Sequence, residues 1–153
     1  MARHRAGSDL LGTIEGCLAA VRDQAGAAGI ELSLILPVNP ALVRIDTTPL
    51  HEVGRHLLRY ALGEVRRGHR LLVRLDLTAE EVVTLEIDEE DPVVGQGAIR
   101  SGLQRRDEAA AEVATVRGIL DAAGGRLSVL RCKDGSLRLV ATLPCCASRP
   151  PSP

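Results

Sequence analysis

The 153-residue chain is 45% hydrophobic with a formal net charge of -1, which fits one globular domain and gives no counterion-release drive toward phosphate backbones. It has no Phe or Trp and a single Tyr, so stacking platforms for bases are missing and no nucleic-acid partner is expected. The cysteines Cys17, Cys132, Cys145 and Cys146 lack zinc or redox spacing and read as reduced thiols of a cytoplasmic protein.

Residues 1–7 read as a disordered lead. The apolar run from Leu10 to Val21 is broken by Glu15 and is too short to span a bilayer, and no convincing cleavage pattern follows it. No direct membrane insertion is expected. Ser8 reads as the cap of a first helix ending near Gly26, with Leu10, Leu11, Ile14, Cys17, Leu18 and Val21 along one side. Residues 30–37 alternate as a half-buried strand, Asn39 and Pro40 mark a turn, and Leu42 to Ile45 form a short second strand.

Asp46 to Leu62 then reads as the central helix. Thr47 or Thr48 caps it, Pro49 suits its first turn, and Leu50, Val53, Leu57, Leu58, Ala61 and Leu62 make an apolar stripe. The opposite face carries His51, Arg55, His56, Arg59, Tyr60 and Glu64. Arg66, Arg67 and Gly68 close the helix.

Beyond Gly68 the period changes to two. Arg70 to Leu77 and Val82 to Ile87 form an antiparallel pair. From Asp88 to about Arg106 periodicity is lost: the stretch opens on Asp88, Glu89, Glu90 and Asp91, carries Gly95, Gly97 and Gly102, and closes on Arg100, Arg105 and Arg106. A segment this long without its own element is functional or disordered. Residues 107–123 return to a helix ended by Gly124 and Gly125, and Arg126 to Cys132 with Ser136 to Leu143 form a hairpin across Asp134 and Gly135. Residues 145–153 read as an exposed tail. The expected domain spans 8–144, an α+β two-layer sandwich whose mixed, mostly antiparallel sheet is covered by three helices.

Three strings in this order resemble the catalytic and ATP-binding module of sensor histidine kinases, in the wider group with gyrase, Hsp90 and MutL ATPases. They are Asp46-Thr47-Thr48-Pro49-Leu50, His56-Leu57-Leu58-Arg59-Tyr60-Ala61, and Val116 to Val129 with its Gly124-Gly125 turn. The last strand ends in the family's Leu-Pro, at Leu143 and Pro144. The resemblance covers about residues 9–144 and implies a Bergerat-type ATP-binding fold, with ATP and Mg2+ as cofactors if the module is active.

The chain departs from the family at all three nucleotide boxes. The two helix asparagines are His56 and Tyr60 here; the acidic box falls on Glu89-Glu90-Asp91-Pro92-Val93 without its glycines; and the glycine-rich box falls on Glu108 to Val113, where none survives. Glycines there let backbone amides approach phosphates, and Glu108 and Glu112 add repulsion. The resemblance makes His56 the catalytic candidate, through a water or a phosphate, and His56 and Tyr60 weak Mg2+ ligands. Glu89, with Asp88 next in line, would accept from the adenine amino group, and Asp91 keeps a carboxylate in the box. Arg100, Arg105 and Arg106 would neutralise phosphates in place of the missing cradle.

Plainer alternatives stand beside each reading. His56 and Tyr60 belong to a solvated helix face, the four acids are solvated or bind a hard cation, and the arginines keep a loop soluble. Two functions follow. The module binds ATP atypically or weakly for phosphoryl transfer to a histidine on a separate dimerisation domain, which makes the chain a fragment of a longer kinase or a component acting in trans. Alternatively it is a catalytically inactive pseudo-ATPase scaffold that binds a response regulator or another signalling partner.

Overall fold

Two antiparallel hairpins and one helical crossover build the sheet. The computed structural model describes residues 8–35, 42–77, 82–91, 104–105 and 111–145. Its elements in chain order are β1 (Ser8–Asp9), α1 (Leu10–Ala27), β2 (Glu31–Ile35), β3 (Leu42–Val43), α2 (Thr47–Glu64), β4 (Arg70–Leu77), β5 (Val82–Glu90), β6 (Gln104–Arg105), α3 (Ala111–Ala122), β7 (Arg126–Arg131) and β8 (Leu137–Pro144). The 1–7 lead, the Asn39-Pro40 turn, Gly95, Gly97, Gly102, Arg100, Arg106, Glu108 and residues 146–153 lie outside the described residues.

The main sheet runs β2-β4-β5-β8-β7-β6. Only β2 and β4 pair in parallel, because α2 carries the chain from one to the other; the remaining neighbours are antiparallel. The α+β sandwich expected from the sequence is the observed architecture. Strand alternation sends Leu71, Val73, Leu75, Val83, Leu85 and Ile87 to one face, together with Val129, Leu137, Leu139, Ala141 and Leu143. On that face Leu10, Ile14 and Leu18 of α1, Leu50, Leu57 and Leu58 of α2, and Val113, Val116 and Leu120 of α3 complete one core. Each fully buried Leu contributes about 1.5–3 kcal/mol, so a mainly aliphatic core holds the layers together.

Several local expectations are corrected. Ser8 is not the cap of α1. It lies in β1, pairs with Val43, and its hydroxyl donates to the Ile45 carbonyl, tying the start of α1 to the lead-in of α2. The Leu42–Ile45 strand shortens to β3, which pairs with β1 and not with the main sheet. Asp46 holds the N-cap position of α2 without a side-chain cap bond, so neither threonine is the cap. β5 runs three residues beyond Ile87, to Glu90. Cys145, assigned to the tail, forms a β-bridge with Val43. The Asp134-Gly135 turn is as expected: Asp134 Oδ1 accepts the Ser136 N–H, and Gly135 has φ +86°.

Among the described residues no helix is long and apolar enough to cross a membrane. The tightest backbone approach is at Gly125, where a Cβ would sit 2.2 Å from the Thr142 carbonyl oxygen. That oxygen belongs to the sheet and cannot swing aside. Gly125→Ala is therefore expected to lower stability by about 1–3 kcal/mol in urea unfolding, whereas Gly118→Ala, inside α3 with open space for its Cβ, is expected to raise it by up to about 1 kcal/mol.

Candidate functional site

Alternation along β5 does not stop at Ile87. Glu89 therefore points to the core side of the sheet, while Glu86, Asp88 and Glu90 point to the other. The Glu89 side chain is completely buried. A carboxylate in that position needs hydrogen-bonding or ionic partners. Oε1 accepts the Leu137 N–H at 3.1 Å. Oε2 accepts the Arg66 backbone N–H at 3.1 Å, with Arg66 Nε at 3.2 Å and His69 Nδ1 at 2.9 Å. The histidine contact has ion-pair distance without hydrogen-bond alignment.

These donors converge because α2 ends at Glu64 and the chain turns through Gly68, at φ +85°, into β4. The connection hangs over the end of β5. Arg66 continues past Glu89 and donates from Nη2 to the Asp134 carbonyl at 2.9 Å, strapping this connection to the β7–β8 turn. His69 Nε2 lies 4.0 Å from Asp91 Oδ2, which places the imidazole between two carboxylates.

The far face of the sheet carries a separate ionic lattice. Arg138 Nε lies 2.9 Å from Asp88 Oδ1 and 3.0 Å from Glu86 Oε2. Arg70 joins Glu90 at 3.2 Å and Glu31 at 3.3 Å, and Arg74 reaches Glu86 at 3.5 Å. Burial pulls the Arg138 guanidinium down, but the hydrogen bond and charge of Asp88 and the charge of Glu86 outweigh it and hold the group above its ordinary value. The four acids from Asp88 to Asp91 are thus neither one cation site nor a solvated run. Period-two geometry divides them between two faces.

On α2, Glu52 accepts from Arg55 Nη2 at 2.7 Å and lies 3.0 Å from His56 Nε2, one oxygen serving both. The hydrogen bond from Arg55, more than either neighbouring charge, holds the Glu52 carboxyl below its ordinary value. His56 is only 18% exposed, and Tyr60 is 7% exposed and part of the core. The solvated-face alternative fails for both. Position 60 follows Val53 and Leu57 at helical spacing, so it falls inside the apolar stripe, which is broader than the aliphatic residues alone indicated. About 12 Å of helix axis separates His56 from the end of α2, so the histidine and the Glu89 cluster are distinct places. Arg105 lies in β6, at the sheet edge.

The residues present do not fit Mg-ATP as arranged. Both Glu89 oxygens are engaged by protein donors, Tyr60 is a phenol buried among aliphatic side chains, and His56 Nε2 is tied to Glu52. Among the described residues no group of three or more His, Cys, Asp or Glu is placed to hold a metal. His69, Glu52 and Arg138 were not singled out by sequence reasoning, and Arg66 was read only as a residue closing the central helix. Two residues after a buried Ile, an acid in an alternating strand was the available signal for Glu89.

Glu89→Ala orphans the buried Leu137 N–H and removes the partner of Arg66 and His69. It is expected to cost about 2–4 kcal/mol in urea unfolding, somewhat below a fully buried broken pair because Arg66 is half exposed, with Glu89→Gln costing less. On α2 the sign is that of a depressed carboxyl: its stabilisation is present above the ordinary glutamate range and is lost as pH falls through the lowered value. Carboxyl-detected NMR titration should show Glu52 returning upward in Arg55→Ala.

No family model matches the sequence, and neither does any curated protein. Solved structures do. The mycobacterial sensor histidine kinase MprB superposes with a TM-score of 0.70 at 21% identity, covering 90% of this chain and 95% of that one. The catalytic domain of histidine kinase ThkA gives 0.70 at 11% identity, covering 90% and 94%. Full-length ShkA in complex with AMPPNP gives 0.74 at 15% identity, covering 99% of this chain and 33% of that longer one. At these identities the likeness is one of fold, and the chain has the fold of the histidine kinase catalytic domain.

Proposed function

We propose that this chain is a histidine-kinase-type module that has given up strong nucleotide binding and serves as a pseudo-ATPase scaffold, docking a response regulator or another protein of a two-component signalling system. The observation that carries this reading is the Glu89 carboxylate. The resemblance assigns it to the adenine amino group, yet each of its oxygens already accepts a backbone N–H, from Leu137 and Arg66, with the Arg66 guanidinium and the His69 ring packed against it at ion-pair distance. The lost glycines and the buried Tyr60 support the same conclusion from the phosphate and Mg2+ ends.

A second reading keeps weak ATP binding and phosphoryl transfer to a histidine on a separate dimerisation domain. The Glu52–Arg55–His56 cluster favours it, because it leaves a partly exposed cation and an imidazole on the α2 face that the resemblance assigns to Mg2+ and phosphate. Calorimetric titration with Mg-ATP separates the two. The scaffold reading expects no saturable heat at millimolar nucleotide and no thermal shift; saturable binding competed by ADP would favour the kinase reading.

A further inference from the structure

We propose that Arg66 is an internal occupant of the position where Glu89 would receive a nucleotide base, so that the module holds its own site closed. This rests on the reading above, that strong nucleotide binding has been given up, and names the group responsible.

Four nitrogens lie against Glu89, two in hydrogen bonds and two at ion-pair distance, and they are not equally removable. The Leu137 and Arg66 backbone N–H groups are fixed by the path of the chain. His69 is 19% exposed and is held from its other side by Asp91. The Arg66 side chain is 47% exposed, against none for its partner. It reaches a buried carboxylate from the solvent side, as an incoming ligand would. Its guanidinium holds Nε 3.2 Å from Oε2 at ion-pair distance and donates from Nη2 to the Asp134 carbonyl, bridging a carboxylate and a peptide oxygen.

The turn beneath the guanidinium is shaped for it. Gly135 has φ +86°, and a Cβ there would come within 3.3 Å of Arg66 Nη2. A ligand that displaces Arg66 must supply an N–H donor to the same oxygen. An amino-heterocycle such as adenine has that chemistry, and the half-exposed Arg66 side chain can give way to it without unmaking the two backbone hydrogen bonds to Glu89.

The test compares wild type with Arg66→Met, which keeps the aliphatic stem and removes the donors, and with Arg66→Gln as a second opening variant. The double variant Arg66→Met/Glu89→Gln removes the acceptor. Adenosine is titrated into each, with purine riboside, which lacks the exocyclic amino group, as control, and followed by amide NMR shifts at Leu137 and His69. The expected result is a gain of at least about tenfold in adenosine affinity for both single variants over wild type, lost in the double variant. Folded single variants that bind adenosine no better than wild type would overturn the proposal and leave Arg66 a structural strap. Equal gain with purine riboside would also overturn it, since the gain would not depend on the adenine N–H donor. Tight Mg-ATP binding by the wild type would overturn the functional reading above, and it is scored separately from the response to Arg66 substitution.

Discussion

A carboxylate on the core side of a sheet must be met by donors, because the desolvation cost of leaving it bare is several kcal/mol. Glu89 is such a group, and the neighbouring structure is arranged around that requirement. The turn after α2 supplies a backbone N–H and a guanidinium, the next residues supply an imidazole, and the first residue of β8 supplies another N–H. One side chain thereby couples the end of the central helix to both hairpins. Removal of any one donor loosens a junction of three elements.

The opposite face of the same strand solves the same problem differently. Glu86, Asp88 and Glu90 meet Arg70, Arg74 and Arg138 across neighbouring strands, where register puts oppositely charged residues side by side. No helix among those described covers this face; all three pack on the other. The two faces therefore separate a convergent, buried carboxylate, suited to recognition, from a distributed ionic network, suited to keeping a flat sheet face ordered.

Much of this fold was legible in the sequence. The stripe of Leu50, Val53, Leu57, Leu58, Ala61 and Leu62, the alternation of β4 and β5, and the Asp134-Gly135 turn are local signals, and each sits where its period or turn chemistry requires. The candidate site was less legible. Acids from Asp88 to Asp91 looked like a loop because an acidic run masks alternation, although the strand continues beneath it. Arg66 looked like an ordinary helix-end residue and His69 carried no signal of its own, because their partner is twenty or more residues away in the chain.

What the sequence determined by itself was the layering: periods of 3.6 and 2 decide which residues face a core, and those periods are set by the backbone alone. Tertiary structure decided which polar groups meet. Ser8 reaching Ile45 in place of capping α1, Tyr60 entering the core, and Arg66 closing over Glu89 all depend on elements brought together from distant parts of the chain. Hydrogen bonds and ion pairs act only at contact distance, and no periodicity in a single segment carries that information.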